Sequence, residues 1–285
     1  VTREDKEKII QAALSLAKMR AGWWRAPCPF CGGKDDTLSY NPTTGYYHCF
    51  RQACRTKGVL GEVPEDLIGA GPSEDEQASA LEAIKRPPED YVPLAGDRSL
   101  IFGDARRYLL QRKLPEHVWK EAQVGACISG KYAGRIIIPN LMPDGSWFGY
   151  TTRAYSKSVP KKFAYRYPEG GWRGDVVHNL PALWEETDEI LYVVEGAFDA
   201  LALWPHAVAV LGMPSEHQMQ LLASSKRPLC VVLDADAWEV GWGVAMRLRL
   251  AGCQAGAVRL MDGLDPDEVD PADLWEWAQA SLSAG

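Results

Sequence analysis

Two sets of side chains in this sequence have the types and spacing for chemistry. The first is acidic. Leu191-Tyr-Val-Val runs into Glu195-Gly196 and then Asp199, and Leu229-Cys-Val-Val-Leu runs into Asp234-Ala235-Asp236. Each apolar run reads as a buried strand, which puts both motifs at strand carboxyl ends, where open α/β sheets collect their ligands. The i, i+2 spacing of Asp234 and Asp236 sends both carboxylates to one side, so all four acids are expected to converge. Carboxylates crowded beside a dry sheet repel one another and take up protons unless a divalent cation compensates. An all-oxygen set selects Mg²⁺ or Mn²⁺, ions suited to phosphoryl transfer. Taken singly, Glu195 is an ordinary strand-end residue and Asp199 a partner for a helix dipole; the two motifs together make the metal reading. A third acidic run, from Asp265 to Asp273, follows the last expected strand. Asp270 in it is a candidate ligand, although Asp270-Pro271 also reads as a helix N-cap.

The second set is sulfur. Cys28-Pro-Phe-Cys31 is followed by Cys49 and, at the end of Cys49-Phe-Arg-Gln-Ala-Cys54, by a fourth cysteine. Two short loops, each bending two thiolates onto one face of an ion, are the pattern of a closed structural zinc site. His48 competes with Cys49 for the third position, and four cysteines are the preferred set. Arg25, Lys34, Arg51, Arg55 and Lys57 surround the site, interleaved with Trp23, Trp24, Phe30, Tyr46, Tyr47 and Phe50. Such a mixture serves a single-strand nucleic-acid platform, and equally the packing of a ribbon too small to have a large core.

These side chains need elements to hold them. Residues 4–19 place apolar side chains on one helical stripe, and 28–58 alternate short aromatic runs with turn signals, which predicts a zinc-binding ribbon domain over 1–60. Residues 61–90 are rich in Gly, Pro, Ser and acid and read as a linker. Residues 91–185 read as a mixed α+β subdomain, with helices at 98–112 and 115–121 and strands at 135–139 and 147–152. From 186 to 285 strands (191–194, 208–211, 230–233, 256–261) alternate with helices (197–204, 215–223, 242–251, 271–280), the cadence of a largely parallel sheet covered by helices. Trp275 and Trp277 on the last helix read as a partner-docking face or as core packing, with core packing preferred.

Composition narrows the class. The net charge of −7 is segregated: residues 1–60 carry +5, 61–90 carry −7, 91–185 carry +6 and 186–285 carry −11. Two basic blocks suit a phosphate backbone, while the last block carries the cation-binding acids. No apolar run is long enough to span a membrane and the charged start is unlike a secretory leader, so a cytoplasmic location is expected. The absent initiator Met points to processing or a cut boundary. Cys127, Cys230 and Cys253 are scattered in apolar surroundings, which fits metal binding by the other four cysteines better than disulfides.

Glu195-Gly-x-x-Asp199 followed by Asp234-x-Asp236 resembles the Toprim fold of bacterial and phage primases, topoisomerases and some nucleases. The wider sequence is most similar to the DnaG-type DNA primases, with an N-terminal zinc domain and a Toprim catalytic core. Cys28-Pro-Phe-Cys31 with Tyr47-His-Cys-Phe50 resembles the zinc domain. Arg135-Ile-Ile-Ile-Pro139, Thr152-Arg153 and Pro160-Lys-Lys-Phe163 resemble the basic subdomain, and Leu211-Gly-Met-Pro214 with Gln218-Met-Gln-Leu-Leu222 the Toprim strand and helix. The resemblance implies RNA primer synthesis on single-stranded DNA from ribonucleoside triphosphates. Glu195, Asp234 and Asp236 would be catalytic, would hold more than one Mg²⁺ or Mn²⁺ with Asp199, and would work beside one structural zinc. Arg135, Arg153 and Lys161 or Lys162 would contact template, primer or nucleotide. The implied partners are template, primer–DNA hybrid and a separate replicative helicase, in a bacterial or phage-infected cell. Two features depart from the family: Cys49 and Cys54 stand further apart than the usual Cys-x-x-Cys, and the loop after Asp236 is longer. No Gly-x-x-x-x-Gly-Lys-Ser/Thr phosphate loop is present, which excludes a fused helicase, and the short C-terminal remainder implies no helicase-docking domain. The rival readings are a Toprim strand-cleaving enzyme and a non-catalytic zinc and Toprim recombination protein that binds single strands.

Overall fold

The computed structural model describes residues 3–14, 17–20, 23–32, 36–41, 45–51, 54, 56–60, 79, 82–156, 159–160, 163–168, 172–261 and 263–283. Lys161 and Lys162, and most of the 61–90 stretch, lie outside the described residues. The chain divides into two compact units, one of residues 1–81 with 169–171 and one of 82–168 with 172–285.

The first unit begins with α1 (Arg3–Leu14) and continues as an antiparallel meander of β1 (Lys18–Arg20), β2 (Trp23–Ala26), β3 (Leu38–Tyr40), β4 (Tyr46–Cys49) and β5 (Lys57–Val59). The amphipathic stripe expected to continue to residue 19 stops at Leu14, because Met19 pairs with Trp24 across the β1–β2 ladder. Alternation sets the core. On β4 the side chains of Tyr47 and Cys49 turn inward and join Ile10, Leu14, Trp24 and Leu38, while Tyr46 and His48 face the other way.

The second unit contains two sheets. β6 (Tyr91–Pro93), α2 (Gly103–Gln111), α3 (Glu116–Glu121), β7 (Gly125–Cys127), β8 (Arg135–Leu141), β9 (Trp147–Ala154) and β10 (Tyr165–Arg166) come first, and their strands form an antiparallel sheet in the order β10-β9-β8-β7-β6. Then β11 (Leu191–Val194), α4 (Ala197–Ala202), β12 (Ala207–Ala209), α5 (Glu216–Ala223), β13 (Leu229–Val231), α6 (Trp238–Leu250), β14 (Ala255–Ala257) and α7 (Pro271–Ser283) alternate along the chain. Their strands run parallel in the order β12-β11-β13-β14, and every residue in them is buried, which is why they read as unbroken apolar runs.

Local sequence fixes the helix starts. Ser215 and Gln218 form a reciprocal capping box at α5, with Ser215 Oγ accepting from the Gln218 amide at 3.0 Å and Gln218 Oε1 from the Ser215 amide at 2.9 Å. The buried Gln218 Nε2 lies 2.7–2.8 Å from the carbonyls of Arg173, Val176 and Val210, so one amide ties α5 to the preceding loop and to the end of β12. Trp275 and Trp277 do not pack in the core as expected: they are exposed, because the buried face of α7 is set by Leu274 and Ala278, four residues apart. Among the described residues no helix is long and apolar enough to cross a membrane.

Candidate functional site

The sulfur atoms of Cys28, Cys31, Cys49 and Cys54 all lie within 4.8 Å of one another. Cys28 Sγ is 3.7 Å from Cys54 Sγ and Cys31 Sγ is 3.8 Å from Cys49 Sγ. A tetrahedron with metal–sulfur bonds of about 2.3 Å has sulfur–sulfur edges of about 3.8 Å, so the set fits a four-coordinate metal. The wider Cys49–Cys54 spacing is accommodated because Cys54 lies beyond the end of β4, where the Cys54 amide donates to the Arg51 carbonyl at 2.8 Å. Burial pushes the Cys28 thiol up to about 12, while the Thr56 hydroxyl draws Cys54 down to about 7. His48 takes no part in the cluster. Its ring lies between Tyr46 and Phe50 on the opposite face, with centroids 5.5 and 4.4 Å away, and Arg25 stands 4.1 Å over Phe50.

The carboxylates hang from the ends of the parallel sheet. β11 delivers Glu195, and Asp199 sits in the first turn of α4, where its Oδ2 accepts from the Gly196 amide at 3.1 Å. A Cβ at position 196 would lie 2.5 Å from that oxygen, so only glycine allows the carboxylate to close down on the turn. β13 leads to Asp234, which is half-buried, and Asp236 follows in a single 3-10 turn. The strand alternation expected to align these two acids therefore does not operate, and Asp236 is exposed. The loop after β14 brings in Asp265 and Asp267.

Electrostatics unite these groups. Burial and then the charges of Asp234 and Asp236 hold Glu195 above the usual carboxylate range. Burial, then Asp267 and Asp234, lifts Asp199 to about 7. Asp234 is raised by burial and by Asp265, Asp236 and Asp267. The acids do not form one tight coordination sphere as expected: among the described residues, only the four cysteines make a set of three or more ligand atoms all within 4.8 Å of one another. Mg²⁺ is commonly held by one or two carboxylates with water and substrate phosphates completing its shell, and a spread, mutually repelling set of acids fits that mode. Asp270 has another job: its Oδ1 accepts from the Ala272 amide at 2.9 Å, capping α7. Asp265 and Asp267 are the members of the third acidic run that couple to the others. Their signal was the Asp-Pro-Asp sequence just past a strand end.

A basic side adjoins the acids. Arg112 donates to Asp267 at 3.1 Å and lies 4.8 Å from the Phe198 ring centroid. The Tyr108 hydroxyl accepts from Nε of both Arg112 and Arg153 at 3.1 Å. Arg135 is turned to the backbone just before β10, donating to the carbonyls of Phe163 and Ala164 at 2.8 and 3.0 Å, so it fixes the segment after the two lysines.

Residues 192–270 match the family model described as Toprim-like. No curated protein matches the sequence. Among solved structures, the zinc-binding and RNA polymerase domains of the Aquifex aeolicus primase superpose with a TM-score of 0.56 at 19% identity, over 98% of this chain and 84% of that one. The RNA polymerase domain of the Mycobacterium tuberculosis primase DnaG gives 0.55 at 17% identity, over 74% and 85%. The DnaG primase catalytic domain bound to single-stranded DNA gives 0.51 at 21% identity, over 66% and 75%. Residues 192–270 are thus a Toprim-like domain, set in a chain whose fold is that of the primase zinc-binding and RNA polymerase domains.

Proposed function

We propose that the chain is a DNA primase, a metal-dependent nucleotidyltransferase that makes short RNA primers on single-stranded DNA during replication. The observation that carries this reading is the coupled acidic cluster at the ends of β11, β13 and β14, in a fold shared with a primase along 98% of the chain. Glu195, Asp234 and Asp236 are the catalytic acids, and with Asp199, Asp265 and Asp267 they would hold Mg²⁺ or Mn²⁺. Bound there, such ions would supply positive charge to the triphosphate and to the attacking and leaving oxygens.

The chain's own residues position the rest. Gly196 lets Asp199 close on the turn, and Arg112 restrains Asp267. Arg153 and Lys161 or Lys162 would contact template, primer or nucleotide, and Arg135 holds the Phe163 and Ala164 carbonyls just after the lysines. The four cysteines hold one structural zinc, and the ribbon selects the initiation sequence. The acidic 61–90 stretch acts as a linker between ribbon and catalytic core. Solved relatives in complex with single- and double-stranded DNA support a DNA template. Ribonucleoside triphosphates, a primer–DNA hybrid and a separate helicase complete the partners, in the cytoplasm.

Labelled ribonucleotide incorporation on varied single-stranded templates with Mg²⁺ or Mn²⁺ tests the proposal. Glu195→Ala and Asp234→Ala should each abolish incorporation and leave the circular dichroism spectrum unchanged; normal incorporation by either overturns the catalytic assignment. Cleavage of circular DNA without nucleotides would point instead to a strand-cleaving enzyme, and metal-independent strand binding without turnover to a non-catalytic protein.

A further inference from the structure

An aromatic and basic feature lies beside the acids, and its two rings and Arg173 have no role in the chemistry described so far. In the β9–β10 ladder Tyr165 stands opposite Arg153, whose guanidinium carbon is 4.3 Å from the Tyr165 ring centroid. Two residues on, the Tyr167 ring lies parallel to that of Tyr165 within 8°, with centroids 6.3 Å apart. Arg173 stands 4.3 Å from the Tyr167 centroid. Two aligned rings are thus each accompanied by a guanidinium. A core role would bury the rings, yet Tyr165 is 37% exposed, Tyr167 is partly exposed and Arg173 is exposed.

The feature is held in place from both ends. Thr152 Oγ1 donates to the Arg166 carbonyl at 2.7 Å, between the two tyrosines, and Arg135 fixes the residues just before them. Gln218 anchors the Arg173 carbonyl at 2.8 Å, and Arg153 is held by Tyr108. Among the described residues no acidic side chain pairs with Arg153 or Arg173, which leaves both charges to attract an anion. The rings also feel the metal-site acids: beyond the effect of burial, Asp199 raises the Tyr165 hydroxyl and Glu195 that of Tyr167.

We propose that Tyr165 and Tyr167, flanked by Arg153 and Arg173, stack the base of a nucleoside triphosphate whose phosphates lie at the carboxylates. Every base has a π face, so such a platform accepts all four nucleotides, as template-directed synthesis requires. The proposal deepens the primase reading of the same site and rests on it.

Binding of ATP and of inorganic tripolyphosphate to the full chain, with Mn²⁺ and without template, tests the platform by calorimetry. The wild-type chain should prefer ATP by roughly 5- to 150-fold, the range for one base stacked on an aromatic ring. The double variant Tyr165→Ala/Tyr167→Ala should bind ATP no better than tripolyphosphate and keep its tripolyphosphate affinity. The double Phe variant, which retains both rings and supports folding, should keep the ATP preference. The platform is overturned if the Ala variant still prefers ATP, if the Phe variant loses the preference, or if the Ala variant loses oligothymidylate binding and not ATP binding. Absence of incorporation by the wild-type chain would remove the primase reading and leave an ATP preference standing, so the two failures are distinguishable.

Discussion

Arg112, at the C-terminal cap of α2, and Asp267, 155 residues further along the chain, form a largely buried ion pair at 3.1 Å. The pair joins the end of α2 to the acidic loop after β14 and sets one positive charge against the carboxylates. Arg112→Gln leaves Asp267 among like charges, and the metal-free protein should lose about 1–3 kcal/mol. Thermal melts should show that added Mg²⁺ stabilises this variant more than the wild type; an equal gain in both would deny the pair its compensating role.

Without divalent ions, the contribution of Asp199 to stability should fall as pH rises from about 4 to about 7. Asp199 is held up to about 7 by burial, Asp267 and Asp234, so in this window the native state keeps a proton that the unfolded chain has released. Above it the slope vanishes. His178, which burial holds down to about 4, acts in the opposite sense, its contribution being lost as pH falls from about 6.5 toward that value. Asp199→Asn isolates the carboxyl: melts in a chelator should show a smaller decline with pH than in the wild type. Mg²⁺ should stabilise the wild type more at pH ~7.5 than at pH ~5, since the ion binds ionised carboxylates.

Isosteric neutralisation should separate stability from activity. Glu195→Gln and Asp234→Asn each remove a repelling charge, so melting temperature in a chelator should rise or hold while incorporation falls at least about a thousandfold. A lower melting temperature in both would mean that the acids are structural partners.

Cys49→Ser should reduce bound zinc and unfold the ribbon, whereas His48→Ala should retain one zinc per chain. Metal analysis with near-ultraviolet circular dichroism distinguishes the two, because the ribbon core is built around the thiolates and rich in aromatics. Equal zinc loss in both variants would return His48 to the ligand set.

Glu195 and Asp199 were legible in the sequence because strand, acid and helix follow one another with no gap, and local rules suffice to place them. Within the run from Asp265 to Asp273 the sequence does not single out Asp265 and Asp267, because the run has no period and the Asp270-Pro271 cap signal concerns the helix and not the site. Asp236 was assigned by a strand rule that a 3-10 turn displaces. Tyr165 and Tyr167 carry no readable signal, since β10 is two residues long and their arginine neighbours come from another strand and from the 3-10 turn that follows. Met19 shows the same limit: a helical stripe lost to cross-strand pairing that only the fold supplies.

The order β12-β11-β13-β14 has one more consequence. Glu195, Asp234 and the Asp265–Asp267 pair follow three neighbouring strands, so negative charge is divided in steps across the mouth of the sheet. Such a row is suited to a chain of linked anions with cations between them.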